Sequence, residues 1–349
     1  MQGPGVNGRD DEKTARCTRF VERPSSVSLL GLLYDAAVRR SVVVAAAGAS
    51  LALALVLSIA GVGDDPAKVS NWQALILGLV QGATELLPIS SSGHLILIPW
   101  IFDWDYLKEN DAFNQTFDVS LHLGTLVAVG AYFWGELTAL VAAWVRTLRR
   151  RTIETADERI AWVVVAATIP AGVIGFVGEN LIAENLGEPW QIAILLAGFG
   201  LLLGWADRRP VTRTMGDLSL RQGVAVGLAQ SLSLMPGVSR SGITITTGRL
   251  LGLDRDAAAR FSFLLLLPIT FAAVVFKGLT DVLLAELPSG LTGPFVVGVL
   301  ASLGTGLLAI LGLLDFVRRH TYDAFVVYRL LAAAIIILLI VTGFRAATF

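Results

Sequence analysis

The chain has a single cysteine, Cys17, and only three histidines, His94, His122 and His320, in 349 residues. One thiol excludes an internal disulfide and a cysteine-based metal cluster. Three scattered imidazoles offer no zinc set, so any metal must be held by carboxylates. Charge is also scarce: 16% of the residues are Asp, Glu, Lys or Arg, against about 25% in soluble domains. A net charge of −1 gives no basic surface for nucleic acid. What is abundant is apolar. With 54% hydrophobic residues and a mean hydropathy of +0.69, the composition is that of a membrane protein, and the apolar runs described next make it an expected all-α one.

Residues 1–40 differ from the rest. They are polar, carry charges of both signs (Arg9, Asp10, Asp11, Glu12, Lys13) and contain no long apolar run. They are too long and too charged for a signal-peptide leader, and are expected to be a disordered cytoplasmic extension. Runs long enough to cross a membrane lie at 41–62, 117–145, 159–178, 190–206, 258–277, 293–316 and 325–345. Two further apolar stretches are interrupted. Residues 71–102 are broken by Gln-Gly-Ala-Thr-Glu (81–85) and Ser-Ser-Ser-Gly-His (90–94), and residues 219–252 by Gln-Ser-Leu-Ser (230–233) and Pro-Gly-Val-Ser-Arg-Ser-Gly (236–242). Polar backbone inside a bilayer is tolerated only where protein or a wet cavity surrounds it. Both stretches are therefore expected to be re-entrant helix hairpins.

The two stretches resemble each other. Gly78-Leu79-x-Gln81 recurs as Gly227-Leu228-x-Gln230, and Ser90-x-Ser92-Gly93 as Ser239-x-Ser241-Gly242, all at one offset of 149 residues. Each hairpin precedes three spans, which predicts repeat 1 over 70–206 and repeat 2 over 219–345, after an extra N-terminal span at 41–62. The positive-inside rule orients them. Arg146, Arg149, Arg150 and Arg151, then Arg208, Arg209 and Arg213, then Arg318 and Arg319 fall in alternate loops, and Arg39 and Arg40 put the N-terminus inside. Glu179, Glu184 and Glu188 mark an outer loop without Lys or Arg. Three spans per repeat is odd, so the repeats are expected to be inverted, an arrangement that brings broken helices together near the membrane midplane.

The breaks carry the chemistry. Gln81 and Glu85 are four apart and share a helix face. Pro88 ends that helix, and Ser90, Ser91, Ser92 and His94 open the next, whose free N–H groups favour an anion. Ser239, Arg240, Ser241 and Thr244 follow the Pro236-Gly237 turn in the same way. An arginine at midmembrane depth costs about 2.5–3.5 kcal/mol even on the lenient insertion scale, which marks Arg240 as functional. Its planar fork suits phosphate oxygens. An acid, a hydroxyl, an imidazole and a cationic clamp are the parts of a phosphoryl-transfer site, and inside a membrane the natural substrate is a lipid phosphate. Inverted repeats with broken helices also suit a transporter such as a polyprenyl-phosphate flippase. A carrier, however, needs no nucleophile.

The strings QGATELLPISSSGHL (81–95) and PGVSRSGIT (236–244) resemble the two signatures of the undecaprenyl-diphosphatase, or bacitracin-resistance, family. FDVSLHLGTLVAV (117–129) and ATIPAGVIGF (167–176) resemble it too, and the likeness covers about 70–345. It implies hydrolysis of undecaprenyl diphosphate to undecaprenyl phosphate, recycling of the carrier lipid for peptidoglycan, and bacitracin resistance. It implies a bacterial plasma-membrane location with the site open to the outer face. The lipid diphosphate among membrane lipids is then the partner, and a homodimer is compatible with it. Carried over by position, Glu85 with Gln81 would hold a divalent cation, Mg²⁺ or Ca²⁺. Ser91 and His94 form the catalytic turn, and Arg240 with Ser239, Ser241 and Thr244, beside Ser90 and Ser92, binds phosphate. The family allows Glu or Gln where Gln81 stands, so one charged ligand is missing. Ser91 as nucleophile with His94 handling its proton, and His94 itself as nucleophile, are both open from sequence.

Overall fold

The computed structural model describes residues 29–62, 68–104, 106–107, 111–277 and 292–348. The chain divides into two compact units, Met1–Val42 and Val43–Phe349. In the first, the described residues are helical from Leu29, so the expected disordered extension over 1–40 is replaced by helix at its end; residues 1–28 lie outside the described residues. Helix α1 runs Leu29–Ala60, and its apolar part, Val38–Ala60, covers the extra span expected at 41–62.

The regular structure of the described residues is all helix, with no strand among them. In order they form α2 (Asn71–Leu86), α3 (Ser91–Phe102), α4 (Asp111–Tyr132), α5 (Trp134–Arg150), α6 (Ala156–Asn185) and α7 (Pro189–Asp207). After a short 3-10 turn come α8 (Leu220–Ser231), α9 (Arg240–Leu250), α10 (Arg255–Lys277), α11 (Thr292–Val317) and α12 (Asp323–Val341). Among the described residues six helices are long and apolar enough to cross a membrane, or seven if one bent pair counts as a span. This is a multi-pass, all-helical membrane protein.

The bent pair corrects one expectation. The run 117–145 is not one straight helix: α4 and α5 meet at Phe133 with a bend of 81°. Phe133 supplies no side-chain cap. Continuing α4 would carry Glu136 and then Arg146, Arg149 and Arg150 along the same axis. Turning instead lets Glu136 reach Arg260 on α10 at 3.8 Å and Arg146 reach Glu158 on α6 at 3.6 Å.

Both interrupted stretches fold as helix–turn–helix pairs, α2–α3 and α8–α9, with matching local chemistry. Ser70 and Ser219 each cap a first helix through a capping box, with Gln73 and Gln222 at the third position. Ser90 and Ser239 each cap a second helix at φ 74°, accepting from the N–H of Gly93 and Gly242. Left-handed backbone at a non-glycine residue is strained by about 1–2 kcal/mol. Of the four such residues described, Ser90, Asp103, Arg151 and Ser239, the two serines stand where a chain must turn and present a helix start.

Long helices embrace the hairpins. α2 packs on α11 and α8 on α6, each by a glycine set directly against a neighbouring backbone. A Cβ on Gly78 would lie 2.4 Å from the Gly298 carbonyl oxygen, and one on Gly227 would lie 2.4 Å from that of Ala167. α7 and α12 pair beside the tips, and Asp207 at the end of α7 pairs with Arg249 of α9 and Arg255 of α10 and accepts from the Tyr322 N–H ahead of α12.

Gly78→Ala is expected to lower the melting temperature in detergent, since overpacking against fixed backbone costs about 1–3 kcal/mol. Gly312→Ala, where nothing lies within 4 Å of the added carbon, should leave it unchanged or raise it, because alanine favours helix by about 1 kcal/mol. Equal melting temperatures for the two variants would contradict this packing.

Candidate active site

The two hairpin tips meet. Ser90 Oγ accepts from the Gly237 N–H at 3.0 Å, and Ser241 Oγ donates to the Leu87 carbonyl at 2.9 Å. Across that seam lies a buried ion pair. Arg240, the first residue of α9, directs Nε (3.3 Å) and Nη2 (3.1 Å) at Glu85 Oε1, while its Nη1 donates to the Ser262 carbonyl at 3.0 Å. Glu85 is 5% and Arg240 12% exposed, so little water competes for either charge and the pair locks the hairpins together.

The other oxygen of Glu85 gathers three neighbours. Ser91, the first residue of α3, donates its hydroxyl to Oε2, and Gln81 Nε2 donates to it at 3.2 Å. His122 Nε2 on α4 stands 3.5 Å away. His122 Nδ1 lies 2.7 Å from the Asp118 carbonyl, which can only accept, so Nδ1 carries the proton. Ser91, Glu85, Arg240 and His122 thus form one cluster drawn from both hairpins and α4.

His94 stands apart from that cluster. Its Nδ1 lies 2.6 Å from the Ser90 carbonyl and its Nε2 2.7 Å from the Tyr328 hydroxyl of α12. The Ser91 hydroxyl is on Glu85, not on His94. The remaining hydroxyls have protein partners. Ser239 and Ser241 Oγ are 3.1 Å apart, Ser92 Oγ is 3.5 Å from Ser90 Oγ, and Thr244 Oγ1 donates to the Arg240 carbonyl and lies 2.8 Å from Ser262 Oγ.

A divalent cation has one fitting donor. Gln81 Oε1 is buried without a hydrogen-bond partner beside Glu85, and a carboxamide oxygen is a hard ligand suited to Mg²⁺ or Ca²⁺. Among the described residues no three His, Cys, Asp or Glu cluster for a metal. Such an ion would depend on one carboxylate, Gln81 and the phosphate itself, as Mg²⁺ commonly does in phosphoryl-transfer sites.

Two residues escaped the sequence reading. Arg329 on α12 is fully buried and donates to five carbonyls: Nε to Leu196 (3.0 Å), Nη1 to Pro88 (3.1 Å), and Nη2 to Gly237 (2.8 Å), Val238 (3.1 Å) and Leu195 (3.4 Å). It is the only charge between Asp323 and Arg345, a signal that the rule for ionisable residues in spans could have read. Tyr328 had no comparable signal.

A membrane-embedded helical bundle with a carboxylate, a hydroxyl and a guanidinium converging at two broken helices defines a class of intramembrane phosphate-handling proteins. The chain belongs to the bacitracin resistance protein BacA family, whose model matches residues 74–335. It is similar to proteins named undecaprenyl-diphosphatase. That of Thermomicrobium roseum is 46% identical, covering 78% of this chain and 99% of the relative. Those of Desulforudis audaxviator (44%; 79% and 100%) and Pelotomaculum thermopropionicum (42%; 77% and 96%) match to similar extents.

Arg329→Gln should lower the melting temperature steeply, because each buried carbonyl left unpaired costs about 1–3 kcal/mol. Arg329→Lys should fall between, since one ammonium cannot reach both tips and α7. A glutamine variant that melts with the wild type would remove the clamp from this account.

Proposed function

We propose that this protein hydrolyses undecaprenyl diphosphate to undecaprenyl phosphate and inorganic phosphate, an enzyme of the kind its relatives are named for. The observation that carries the proposal is the Ser91 hydroxyl donating to Glu85 while Arg240 holds the same carboxylate from the other side. A nucleophile, its proton acceptor and a phosphate-binding cation occupy one buried cluster.

In the free protein Arg240 rests on Glu85. The terminal phosphate competes for the guanidinium fork, which leaves Glu85 free to accept the Ser91 proton. Ser91 Oγ attacks the terminal phosphorus, and the bond to the bridging oxygen breaks. Arg240 and the N–H groups at the starts of α3 and α9 balance the charge on the equatorial oxygens. His94 gives a proton to the departing undecaprenyl phosphate. Water then attacks the phosphoserine and gives its proton to His94, the proton held by Glu85 returns to the Ser91 oxygen as the P–O bond breaks, and inorganic phosphate leaves. Bound to Gln81 Oε1 and Glu85, Mg²⁺ or Ca²⁺ would supply further neutralisation of the diphosphate. Ser90, Ser239 and Ser241 shape the turns, Thr244 fixes Arg240 from behind, and Ser92 lies beside Ser90. The hold on both His94 nitrogens supports Ser91 over His94 as nucleophile.

The inverted-repeat reading belongs to the same proposal. Its support is the matching caps at Ser70 and Ser219, the shared φ of Ser90 and Ser239, and the glycine contacts of α2 on α11 and α8 on α6. The loop charges support a plasma-membrane topology with the N-terminus inside and the first tip reached from outside. There the enzyme would regenerate the carrier lipid for peptidoglycan and confer bacitracin resistance.

Purified protein in detergent should release phosphate from undecaprenyl diphosphate, with less release in EDTA than in Mg²⁺ or Ca²⁺. Glu85→Gln, Arg240→Ala and Ser91→Ala should each lower kcat at least about 100-fold. Near-normal turnover by Ser91→Ala would transfer the nucleophile's part to His94. No release by folded wild type would favour a lipid-phosphate carrier, which needs the guanidinium but not the hydroxyl.

A further inference from the structure

His94 is bound on both edges of its ring, and the chemistry of one partner fixes the meaning of the other. The Ser90 carbonyl, 2.6 Å from Nδ1, has no proton to give, so Nδ1 carries one. In the neutral ring Nε2 is then the lone-pair nitrogen, and the Tyr328 hydroxyl at 2.7 Å donates to it. The two rings also lie nearly parallel, with centroids 5.7 Å apart and planes inclined by 18°. A hydroxyl both donates and accepts. When Nε2 gains a proton, the Tyr328 hydroxyl can rotate and accept it, so the imidazole is satisfied in either charge state without moving.

The placing of Tyr328 is itself determined. The next residue on α12 is Arg329, whose five carbonyl contacts fix that turn of the helix against Pro88, Gly237 and Val238 at the two tips. Tyr328 is 43% exposed, while Ser90 is fully buried. The series Tyr328 Oη, His94 Nε2, His94 Nδ1 and Ser90 carbonyl therefore leads from the surface of the bundle to the turn that carries Ser91.

We propose that Tyr328 is a positioning residue for His94. It holds the neutral ring as the Nδ1–H tautomer and accepts from Nε2–H in the charged ring, so that His94 exchanges its proton in place. The kinetic consequence rests on the phosphatase reading; the tautomer does not.

The test uses full-length protein labelled with ¹⁵N-histidine in detergent. The chain has three histidines, and the signal lost in His94→Gln assigns His94. Wild-type His94 is expected as the Nδ1–H form when neutral. Tyr328→Phe, which keeps the ring and loses the hydroxyl, should shift the His94 nitrogens and lower kcat about 10- to 100-fold, the range for loss of a group that orients a reacting one, with KM within about twofold. Three results would each overturn the proposal: wild-type His94 as the Nε2–H tautomer, whether or not the variant folds; wild-type kinetics in Tyr328→Phe; or slow kinetics with unmoved His94 resonances. If wild type releases no phosphate, the phosphatase reading fails, and the tautomer still decides whether Tyr328 positions His94.

Discussion

An interrupted helix inside an apolar bundle leaves carbonyls that water cannot reach, and the whole site depends on one side chain that receives them. Arg329 brings the N–H groups of its guanidinium to five carbonyls from three segments, among them both hairpin turns. Among the described residues no carboxylate pairs with it; the carbonyl dipoles serve as its counter-charge. A lone arginine on a membrane helix is expensive, about 2.5–3.5 kcal/mol by insertion. Carbonyls left without a donor would cost more, at about 1–3 kcal/mol each. Each side therefore relieves the other. The seam contacts between Ser90 and Gly237, and between Ser241 and Leu87, can form only once the turns are held at this spacing.

The two interior arginines differ in what they leave available. Arg329 is committed to backbone carbonyls through all three of its nitrogens. Arg240 rests partly on a carboxylate, a contact that the phosphate of the proposed substrate would replace. One is a fixed part of the frame and the other a displaceable contact, and they lie within the same pair of turns. Mobility of charge, more than charge itself, separates framework from chemistry in this site.

Much of this was legible in the sequence. The helix breaks fall where polar residues interrupt the apolar runs at 81–94 and 230–242, because periodicity and the demand for backbone hydrogen bonds act locally. Glu85, Ser91 and Arg240 could be read as candidates, since a charge or a cluster of hydroxyls in an apolar run is conspicuous. What sequence could not convey was pairing. That the Ser91 hydroxyl turns to Glu85 and not to His94, or that Ser241 reaches across to Leu87, depends on how distant helices pack. His122, at the start of a span, could be read as lining a cavity or as anchoring its helix, and only its distance to Glu85 places it in the cluster. The bend at Phe133 was hidden for a related reason: hydropathy measures whether a segment can be buried, not whether its polar ends have partners elsewhere.

Ser91 and Arg240 occupy the same place in two nearly identical turns, each the first residue of a helix that follows a serine at φ 74°. Two true copies of one hairpin, set tip to tip, would confront hydroxyl with hydroxyl or guanidinium with guanidinium. The first pair could bind no phosphate and the second could attack none. The difference at that helical position, with Glu85 and His94 answered by Leu234 and Ile243 in the second hairpin, turns a self-matching pair into complementary halves. Such a site is open only to a chain that carries both hairpins in one polypeptide, where each can change without the other; an assembly of identical single-hairpin subunits would be bound by its own symmetry to remain without one function or the other.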